Sequence, residues 1–423
     1  MQMRGDVMSE GNENTAYERP RLRPVDAFAS QIRGRPVVCL RDPMGYSEAV
    51  VYVPQETASI LSLFDGQHSL LDIQEAYARS FGSLLFREQL LGVIRSLDEH
   101  LLLDSPSFAR HREAIQAEFR RAPQRSALLA GKAYASDPAA LRQQLDGYFS
   151  AADGPGSSPP SPSASQLAGL VVPHIDFRRG GTCYAWGYRE LEGAAPADRW
   201  IILGTVHAPI GRAFALTRKH FETPLGLVET DRDFVDHLLA KAGRQYLDDE
   251  LAHRAEHSIE FQTVFLRHVT PPGRPLAIVP VLCGSLQQSA EDRRSPAQAQ
   301  DIEGFLAALR ETITAFGGRT LVIASADLAH VGPQFGDPRP MTPGQLREVA
   351  DADREMLAAV EAADAEAFFR EVTRDGDRRR ICGLPPIYAA LRVLPGVWGR
   401  VLGYGQWPDP QGTVTFAAVG LYV

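Results

Sequence analysis

Residues that can bind metals or move protons lie at the ends of four apolar runs of strand length. The runs LAGLVVPHI, RWIILGTVHA and LAIVPVLCG end near His174, His207 and Cys283, and RTLVIASADLAH ends with Asp327 and His330. Near-continuous apolar runs are typical of strands that are buried on both faces of an α/β sheet. Because ligands bind beyond the carboxyl ends of such strands, we expect three imidazoles to meet at one sheet edge.

A fifth polar motif opens the amphipathic stretch EHSIEFQTVFLRHV with Glu256 and His257. Glu260 follows Glu256 by four residues, so the two carboxylates share one face of the predicted helix. Two interpretations of Glu260 stay open, since its side chain either enters the site or faces solvent. An acidic residue at a helix start also fits the helix dipole without any further function.

Cys382 lies in the segment RRRICGLPPIYAALR, on a turn before a predicted helix. Partial exposure, a helix amino end and three preceding arginines predict a lowered pKa and a thiolate. The alternative is a buried cysteine that acts as a small hydrophobic residue. Clustered histidine and cysteine favour metal binding, because imidazole suits zinc, copper and iron while thiolate prefers softer ions.

The segments between and after the apolar runs have helical patterns. These are DRDFVDHLLAKAG from Asp231, AQDIEGFLAALRETITAFGG, LREVADADREMLAAVEAA and EAFFREVT. VLGYGQWPD and TVTFAAVGLYV at the carboxyl end are predicted to be strands. Strands that alternate with helices predict an α/β fold with a mixed central sheet flanked by helices.

The amino-terminal part has a different organisation. We expect residues 1–30, which are polar, to be a disordered tail. Residues 31–110 are predicted to form a small winged-helix-like α+β domain. Its predicted hairpin, VVCLRD with AVVYVP, is followed by three helices, the second of which starts after Ser69 and ends at Gly82.

The charge of this domain argues against DNA binding. Residues 55–104 contain eight Asp or Glu and three Arg, and the whole chain has a formal net charge of −8. Non-specific DNA affinity comes mainly from basic contacts to phosphate, so we expect no nucleic-acid partner. The segment resembles the PqqD-like peptide-recognition domain in its paired strands and its ILSLFDGQHSLLDI stretch. That resemblance implies peptide binding by strand addition; the alternative is a packing or dimerisation unit.

From its length and composition we expect a cytoplasmic protein. The 423 residues suggest two domains, and neither a secretory signal nor an apolar run of about 18 residues is found, so we expect no membrane partner. Four widely separated cysteines indicate reduced thiols and not a disulfide framework. The Pro/Ser/Gly-rich stretch 151–165 is predicted to be a flexible loop.

Six ordered motifs carry a resemblance to a known family. PHIDFRRGG, ILGTVHAP, EHSIEFQ, IVPVLCG, SADLAHVG and ICGLPPI look like the Memo-like family, also called AmmeMemoRadiSam system protein B. Upstream, AGKAYASDPAALRQQLDGYF resembles the opening segment of that family. The resemblance implies a domain over residues 122–423, in which 151–165 is an internal loop. It also implies a fold like that of the class III extradiol dioxygenases.

The resemblance implies a metal ion bound by His174, His207 and Cys382. A cysteine ligand makes the site favour softer or borderline ions. Iron(II) and reduced copper are therefore the leading candidates for the bound ion, and zinc is also possible. Asp327 matches the carboxylate behind the ligands, and His330 matches the acid/base histidine of the dioxygenases. Glu256 and His257 complete the catalytic candidates. The implied partners are a small molecule or peptide and a radical S-adenosylmethionine system protein.

Two departures from the family pattern affect the substrate chemistry. Asp176 follows the first histidine where many relatives have small residues; it adds a carboxylate to the site or pairs with Arg178 or Arg179. Leu384 and Pro385 occupy a stretch where many relatives carry a histidine. Three functions therefore stay open: a dioxygenase-like metal oxidoreductase, a metal-dependent hydrolase, and a peptide-binding scaffold without catalysis.

Overall fold

The computed structural model describes residues 17–156, 160, 166–292 and 294–423. The chain divides into two compact units, Met1–Arg121 and Ala122–Val423. Most of the predicted loop 151–165 and the first half of the predicted tail 1–30 lie outside the described residues. In the part that is described, no helix combines the length and the apolar character needed to cross a bilayer.

The first unit combines an antiparallel sheet with four α-helices between residues 55 and 121. The sheet has the order β1-β2-β3, with strands β1 Asp26–Ile32, β2 Arg35–Arg41 and β3 Val50–Pro54. The helices are α1 Gln55–Ile60, α2 Leu70–Phe81, α3 Arg87–Glu99 and α4 Pro106–Arg121. Helix α2 has the predicted ends, because Ser69 and Asp72 form a capping box and Gly82 adopts the left-handed conformation at φ 65°.

The sheet of the first unit starts earlier than the sequence predicted. Strand β1 begins at Asp26, whereas the predicted tail extends to residue 30. The buried Arg23 guanidinium lies 3.1 Å from the Asp42 carboxylate, which also accepts hydrogen bonds from the backbone of Met44, Tyr46 and Ser47. Polar composition alone suggested disorder, but this ion pair and the pairing of β1 with β2 order the segment.

The second unit is built on a mixed sheet, as predicted. Its strands are β4 Gln124–Arg125, β5 Leu167–Val172, β6 Arg199–Thr205, β7 Phe214–Leu216, β8 His220–Phe221, β9 Glu229–Thr230, β10 Ala277–Cys283, β11 Thr320–Ser325, β12 Asp327–Val331, β13 Trp398–Trp407 and β14 Thr413–Tyr422. Its main path has the order β12-β14-β5-β11-β6-β10-β7, with β13 beside β14 and β9 beside β10. The four central strands β5, β11, β6 and β10 are parallel. Two further short strands, β4 and β8, pair separately.

Helices cover both faces of this sheet, and each central strand contributes to two hydrophobic cores. In β6, Ile201 and Leu203 pack into one core while Ile202 packs into the other. This explains why the central runs are almost continuously apolar. The helices are α5 Pro138–Ser150, α6 Phe177–Arg189, α7 Arg232–Ala242, α8 His257–Val269, α9 Gln287–Glu291, α10 Gln300–Phe316, α11 Pro343–Glu361, α12 Ala365–Thr373 and α13 Leu384–Val393.

The fourth apolar run forms two strands and not one. Strand β11 ends at Ser325, and β12 starts at Asp327 after a single intervening residue. Strand β12 leaves the parallel part of the sheet and pairs with β14 in the antiparallel direction. The carboxyl end of β11 therefore lies near Asp327, and His330 lies further along a separate strand.

Candidate functional site

The histidines that follow β5 and β6 are both oriented through their Nδ1 atoms. His174 is buried, and its Nδ1 lies 3.0 Å from the carbonyl oxygen of Ser325. His207 Nδ1 lies 3.1 Å from both carboxylate oxygens of Glu256. Carbonyl and carboxylate oxygens accept hydrogen bonds, so Nδ1 carries the proton and Nε2 offers a lone pair in each ring.

Glu256 organises a second histidine as well. It is the N-cap of α8 and accepts hydrogen bonds from the backbone N–H groups of Ser258 at 3.0 Å and His207 at 2.8 Å. His257 Nδ1 lies 3.2 Å from Glu256 Oε1. One buried carboxylate therefore lies against two imidazoles.

His174, His207 and His257 form a compact cluster. Their ring centroids are 5.2 Å apart for His174 and His207, 5.4 Å for His174 and His257, and 4.6 Å for His207 and His257. One nitrogen from each ring lies within 4.8 Å of the other two. The loop after β5, the loop after β6 and the start of α8 each deliver one of these side chains.

A second cluster shares His174. Cys382 Sγ lies 3.4 Å and Asp327 Oδ2 lies 3.6 Å from His174 Nε2. Asp327 Oδ1 accepts hydrogen bonds from the backbone of His174 at 2.9 Å and Ile175 at 3.2 Å. The sequence-predicted ligands His174, His207 and Cys382 are thus brought to one region, but they are divided between two groups of ligand atoms.

Burial favours the neutral form of two of these imidazoles. It lowers the pKa of His174 to about 3, with a further contribution from His207, and it lowers the pKa of His257 to about 3 despite the charge of Glu256. Burial would raise the pKa of Glu256, but the neighbouring His207 and His257 outweigh it and hold that pKa well below its ordinary value. Around neutral pH the site therefore presents imidazole lone pairs backed by a carboxylate.

The prediction of a lowered pKa for the Cys382 thiol is wrong. Burial, followed by the negative charge of Asp327, raises the pKa of its thiol well above the ordinary value. Two of the three arginines before it pair elsewhere, since Arg379 lies 2.6 Å from the Asp353 carboxylate and Arg380 lies 2.9 Å from Asp337. The sulfur therefore experiences a carboxylate and not the predicted cationic surroundings.

Asp327 and His330 also belong to this region. Burial raises the pKa of Asp327. Burial lowers the pKa of His330 to about 4. The charge of Asp327 opposes this shift, whereas His174 and His207 add to it. His330 Nδ1 lies 3.0 Å from the carbonyl oxygen of Leu328 and so carries a proton. In the described part of the chain, His330 belongs to neither group of candidate metal ligands.

Three other candidates have different roles. Cys283 is buried at the end of β10. Asp176 is the N-cap of α6 and pairs with Arg179 at 2.6 Å, so the salt-bridge interpretation applies. Glu260 neither enters the site nor faces solvent, because it is fully buried and lies 2.6 Å from the Arg125 guanidinium.

A cavity adjoins the cluster on the side of His207 and Cys382. Its volume is about 550 Å³, within the range of small-molecule sites. Cys283, Leu286, Ile381, Leu384 and Pro385 supply apolar parts of its wall, together with the polar residues Asp377 and Arg380 and nine others. A small molecule in this cavity would contact His207 and Cys382.

A buried polar network that the sequence did not indicate joins the strand ends to α8. Gln262 Nε2 donates to the Pro173 carbonyl and to Ser325 Oγ, both at 2.7 Å. Ser258 Oγ donates to the Thr205 carbonyl at 2.7 Å. These bonds fix the ends of β5, β6 and β11 against one helix. A polar glutamine in the apolar stretch IEFQTVFL is the one local sign of it.

Comparison with known proteins agrees with this organisation. The family profile described as Memo-like protein matches residues 125–415. The chain belongs to the Memo-like family. It is 27% identical over 388 residues to a MEMO1 family protein of Aquifex aeolicus. The aligned region covers 90% of this chain and 95% of the relative.

Shorter archaeal relatives match a smaller part of the chain. A MEMO1 family protein of Methanopyrus kandleri is 30% identical over 306 residues, 70% of this chain and 98% of its own length. One from Desulfurococcus amylolyticus is 32% identical over 309 residues, 71% of this chain and 99% of its own length. The Aquifex match is longer than residues 122–423, so it extends into the first unit.

Proposed function

We propose that this Memo-like protein binds one transition-metal ion per chain and acts as a cytoplasmic non-haem metal redox protein or oxygenase. The proposed ligands are His174, His207 and Cys382. Iron(II) is the proposed ion, and reduced copper and zinc are the alternatives. The observation that supports the proposal most is the position of His174, whose Nε2 lies beside Cys382 and in the same cluster as His207.

The donor set fits such an ion. Imidazole nitrogen and cysteine sulfur are ligands for iron, copper and zinc. Metal-binding histidines usually donate their second N–H group to a carboxylate or carbonyl oxygen. His174 does so to Ser325, and His207 does so to Glu256. A bound iron or copper ion would supply one-electron and oxygen chemistry at this point.

The surrounding residues would bind the substrate and move protons. The apolar wall of the cavity would exclude water from the substrate, which we propose to be a small molecule or a peptide side chain. His330 would accept a proton at Nε2, because its Nδ1 already donates to the carbonyl of Leu328. Asp327 would hold the backbone of His174 in place. A radical S-adenosylmethionine system protein is the proposed protein partner; nucleic acid and membrane are not.

Anaerobic metal analysis tests the proposal. The wild-type protein should contain about one ion per chain, and the double variant His174→Ala/His207→Ala should contain none. Full retention of the ion in that variant would refute the site. Oxygen uptake by the iron-loaded protein then separates an oxidoreductase from a metal-dependent hydrolase, which would consume water and no oxygen.

A further inference from the structure

The loop between α12 and α13 carries Cys382 and lies against strand β12; we call it the Cys382 loop. Two backbone hydrogen bonds join it to that strand. The amide of His330 donates to the carbonyl oxygen of Arg379 at 2.7 Å. The amide of Gly383 donates to the carbonyl oxygen of Asp327 at 3.0 Å. Cys382 lies between these two bonds along the chain, so the position of its sulfur depends on how the loop lies on β12.

One buried carboxylate outside the histidine cluster binds the Cys382 loop. Asp353 is fully buried on α11, and its Oδ1 accepts a hydrogen bond from Arg379 Nη1 at 2.6 Å. Its Oδ2 accepts from Thr415 Oγ1 at 2.6 Å and from the Tyr404 hydroxyl at 2.9 Å. Thr415 Oγ1 in turn accepts from the amide of Ala329 on β12 at 2.8 Å. Asp353 therefore connects the loop with strands β12, β13 and β14.

Both charges of the pair formed by Asp353 and Arg379 are shielded from solvent. The side chain of Arg379 is 12% exposed, and that of Asp353 is 0% exposed. A buried ion pair is tolerated when its geometry is good and its remaining hydrogen-bonding groups have partners. A displaced loop would separate the charges and leave the carboxylate buried without its cation. The pair therefore favours one position of the loop.

The backbone of the Cys382 loop is strained, so it needs such a restraint. Asp377 and Arg380 both have a φ of 53°, in the left-handed region that residues other than glycine rarely adopt. Strained conformations of this kind persist where surrounding contacts enforce them. The Arg380 guanidinium supplies some of these contacts, since it donates to the His330 carbonyl at 3.1 Å and lies 2.9 Å from Asp337. The buried pair supplies the others.

We propose that Asp353 and Arg379 are positioning residues for Cys382. Their ion pair fixes the Cys382 loop on β12 and so holds the sulfur 3.4 Å from His174 Nε2. The loop also accepts the hydrogen bond of the His330 amide, so the same pair fixes the sulfur relative to the proposed proton acceptor. The inference rests on the proposed function for the role of this sulfur as a metal ligand.

Alkylation of the metal-free protein tests the position of the sulfur without any ion. Burial and the Asp327 carboxylate raise the pKa of the Cys382 thiol, and a displaced loop would weaken both effects. Arg379→Met should therefore raise the rate of Cys382 labelling by iodoacetamide at least roughly five-fold. Arg378→Met is the matched control, because it removes the neighbouring charge from an exposed side chain. Equal labelling rates in the two folded variants would overturn the inference.

Two further variants separate positioning from a general loss of stability. Leu238→Ala shortens a fully buried side chain on α7 and should destabilise the protein without changing the labelling rate. An equal rise of the rate in Leu238→Ala would count against the pair. Asp353→Asn keeps the size of the side chain and removes its charge, so it replaces Arg379→Met if that variant does not fold. We expect faster labelling of Cys382 in Asp353→Asn as well.

Cobalt(II) reports whether the sulfur still reaches a bound ion. The cobalt-loaded wild-type protein should show a thiolate-to-cobalt charge-transfer band, because thiolate is a good ligand for such ions. Asp353→Asn should lose about half of the band or more per bound ion, whereas Arg378→Met should retain it. A band of wild-type intensity in Asp353→Asn would overturn the inference. A wild-type protein that binds cobalt without this band would refute Cys382 as a ligand in the proposed function, and the labelling rates would then decide the inference alone.

Discussion

At the scale of single residues, the surroundings of Cys382 differ from those that its sequence suggests. Three arginines precede it, but two of them pair with Asp353 and Asp337, and Asp327 lies beside the sulfur. Local sequence shows which charges are close along the chain and not where their side chains point. The histidines were predictable because their positions follow from strand ends, whereas the pKa of the thiol depends on long-range ion pairs.

Exposure predicts the order in which the cysteines react. Cys382 is half-buried, whereas Cys39, Cys183 and Cys283 are buried. In the folded metal-free protein, iodoacetamide should therefore label Cys382 first, although its raised pKa makes the reaction slow. Metal loading should slow the reaction further if the sulfur is a ligand. Mass-spectrometric mapping measures both rates, and the same Cys382 rate with and without metal would exclude it as a ligand.

At the scale of elements, most of the secondary structure could be predicted because its signals are local. Apolar runs predicted the four central strands, and Ser69 and Gly82 predicted the ends of α2. The division of the fourth run at Ala326 was missed, because its composition does not change where the chain turns towards β14. The buried pair of Arg125 and Glu260 was also missed, since the two residues lie far apart along the chain and local patterns do not show such contacts.

Gly383 is predicted to be essential for the position of Cys382. A Cβ atom there would collide with the backbone oxygen of Asp327 and would lie 2.7 Å from the Ala326 Cβ atom. Gly383→Ala should therefore displace the turn, lower the midpoint of thermal unfolding and weaken metal binding. Gly304→Ala is the control, because a Cβ atom there meets nothing within 4 Å and helix α10 should gain up to about 1 kcal/mol. Unchanged metal affinity in Gly383→Ala would contradict this prediction.

The pair of Arg125 and Glu260 is predicted to stabilise the loop before α8. Arg125 is buried and donates to the carbonyls of His253 at 2.7 Å and Glu256 at 2.9 Å. Arg125→Met leaves the Glu260 carboxylate buried without its cation, which should lower the free energy of unfolding by about 3–5 kcal/mol.

Urea denaturation measures this effect, and two further variants control it. The double variant Arg125→Met/Glu260→Gln should lose less than the sum of the single losses, because it leaves no unpaired charge. Arg354→Met breaks an exposed pair with Asp351 and should cost less than about 1 kcal/mol. A loss of that small size for Arg125→Met would show that the buried pair contributes little.

At the scale of the whole molecule, the division into two units agrees with the lengths of the relatives. The alignment with the relative from Methanopyrus kandleri spans 98% of that protein but only 70% of this chain. That relative is therefore about as long as the second unit alone. The strand-end rule located the candidate site in that unit, since chain topology alone brings His174 and His207 to one edge. No such rule applies to the small antiparallel sheet of the first unit. Its sequence therefore predicted strands and helices but no site residues.

The first unit is predicted to fold by itself only with its complete amino-terminal strand. A fragment of residues 17–121 keeps Arg23, whose backbone N–H donates to the Leu102 carbonyl at 2.9 Å and whose side chain pairs with the buried Asp42. The sequence-predicted domain, 31–110, lacks Arg23 and most of β1, so it leaves Asp42 without its cation. We expect cooperative urea unfolding of the longer fragment and a free energy of unfolding lower by at least about 3–5 kcal/mol for the shorter one. Equal stability of the two fragments would show that the unit begins at residue 31, and a longer fragment without a cooperative transition would show that it needs the rest of the chain.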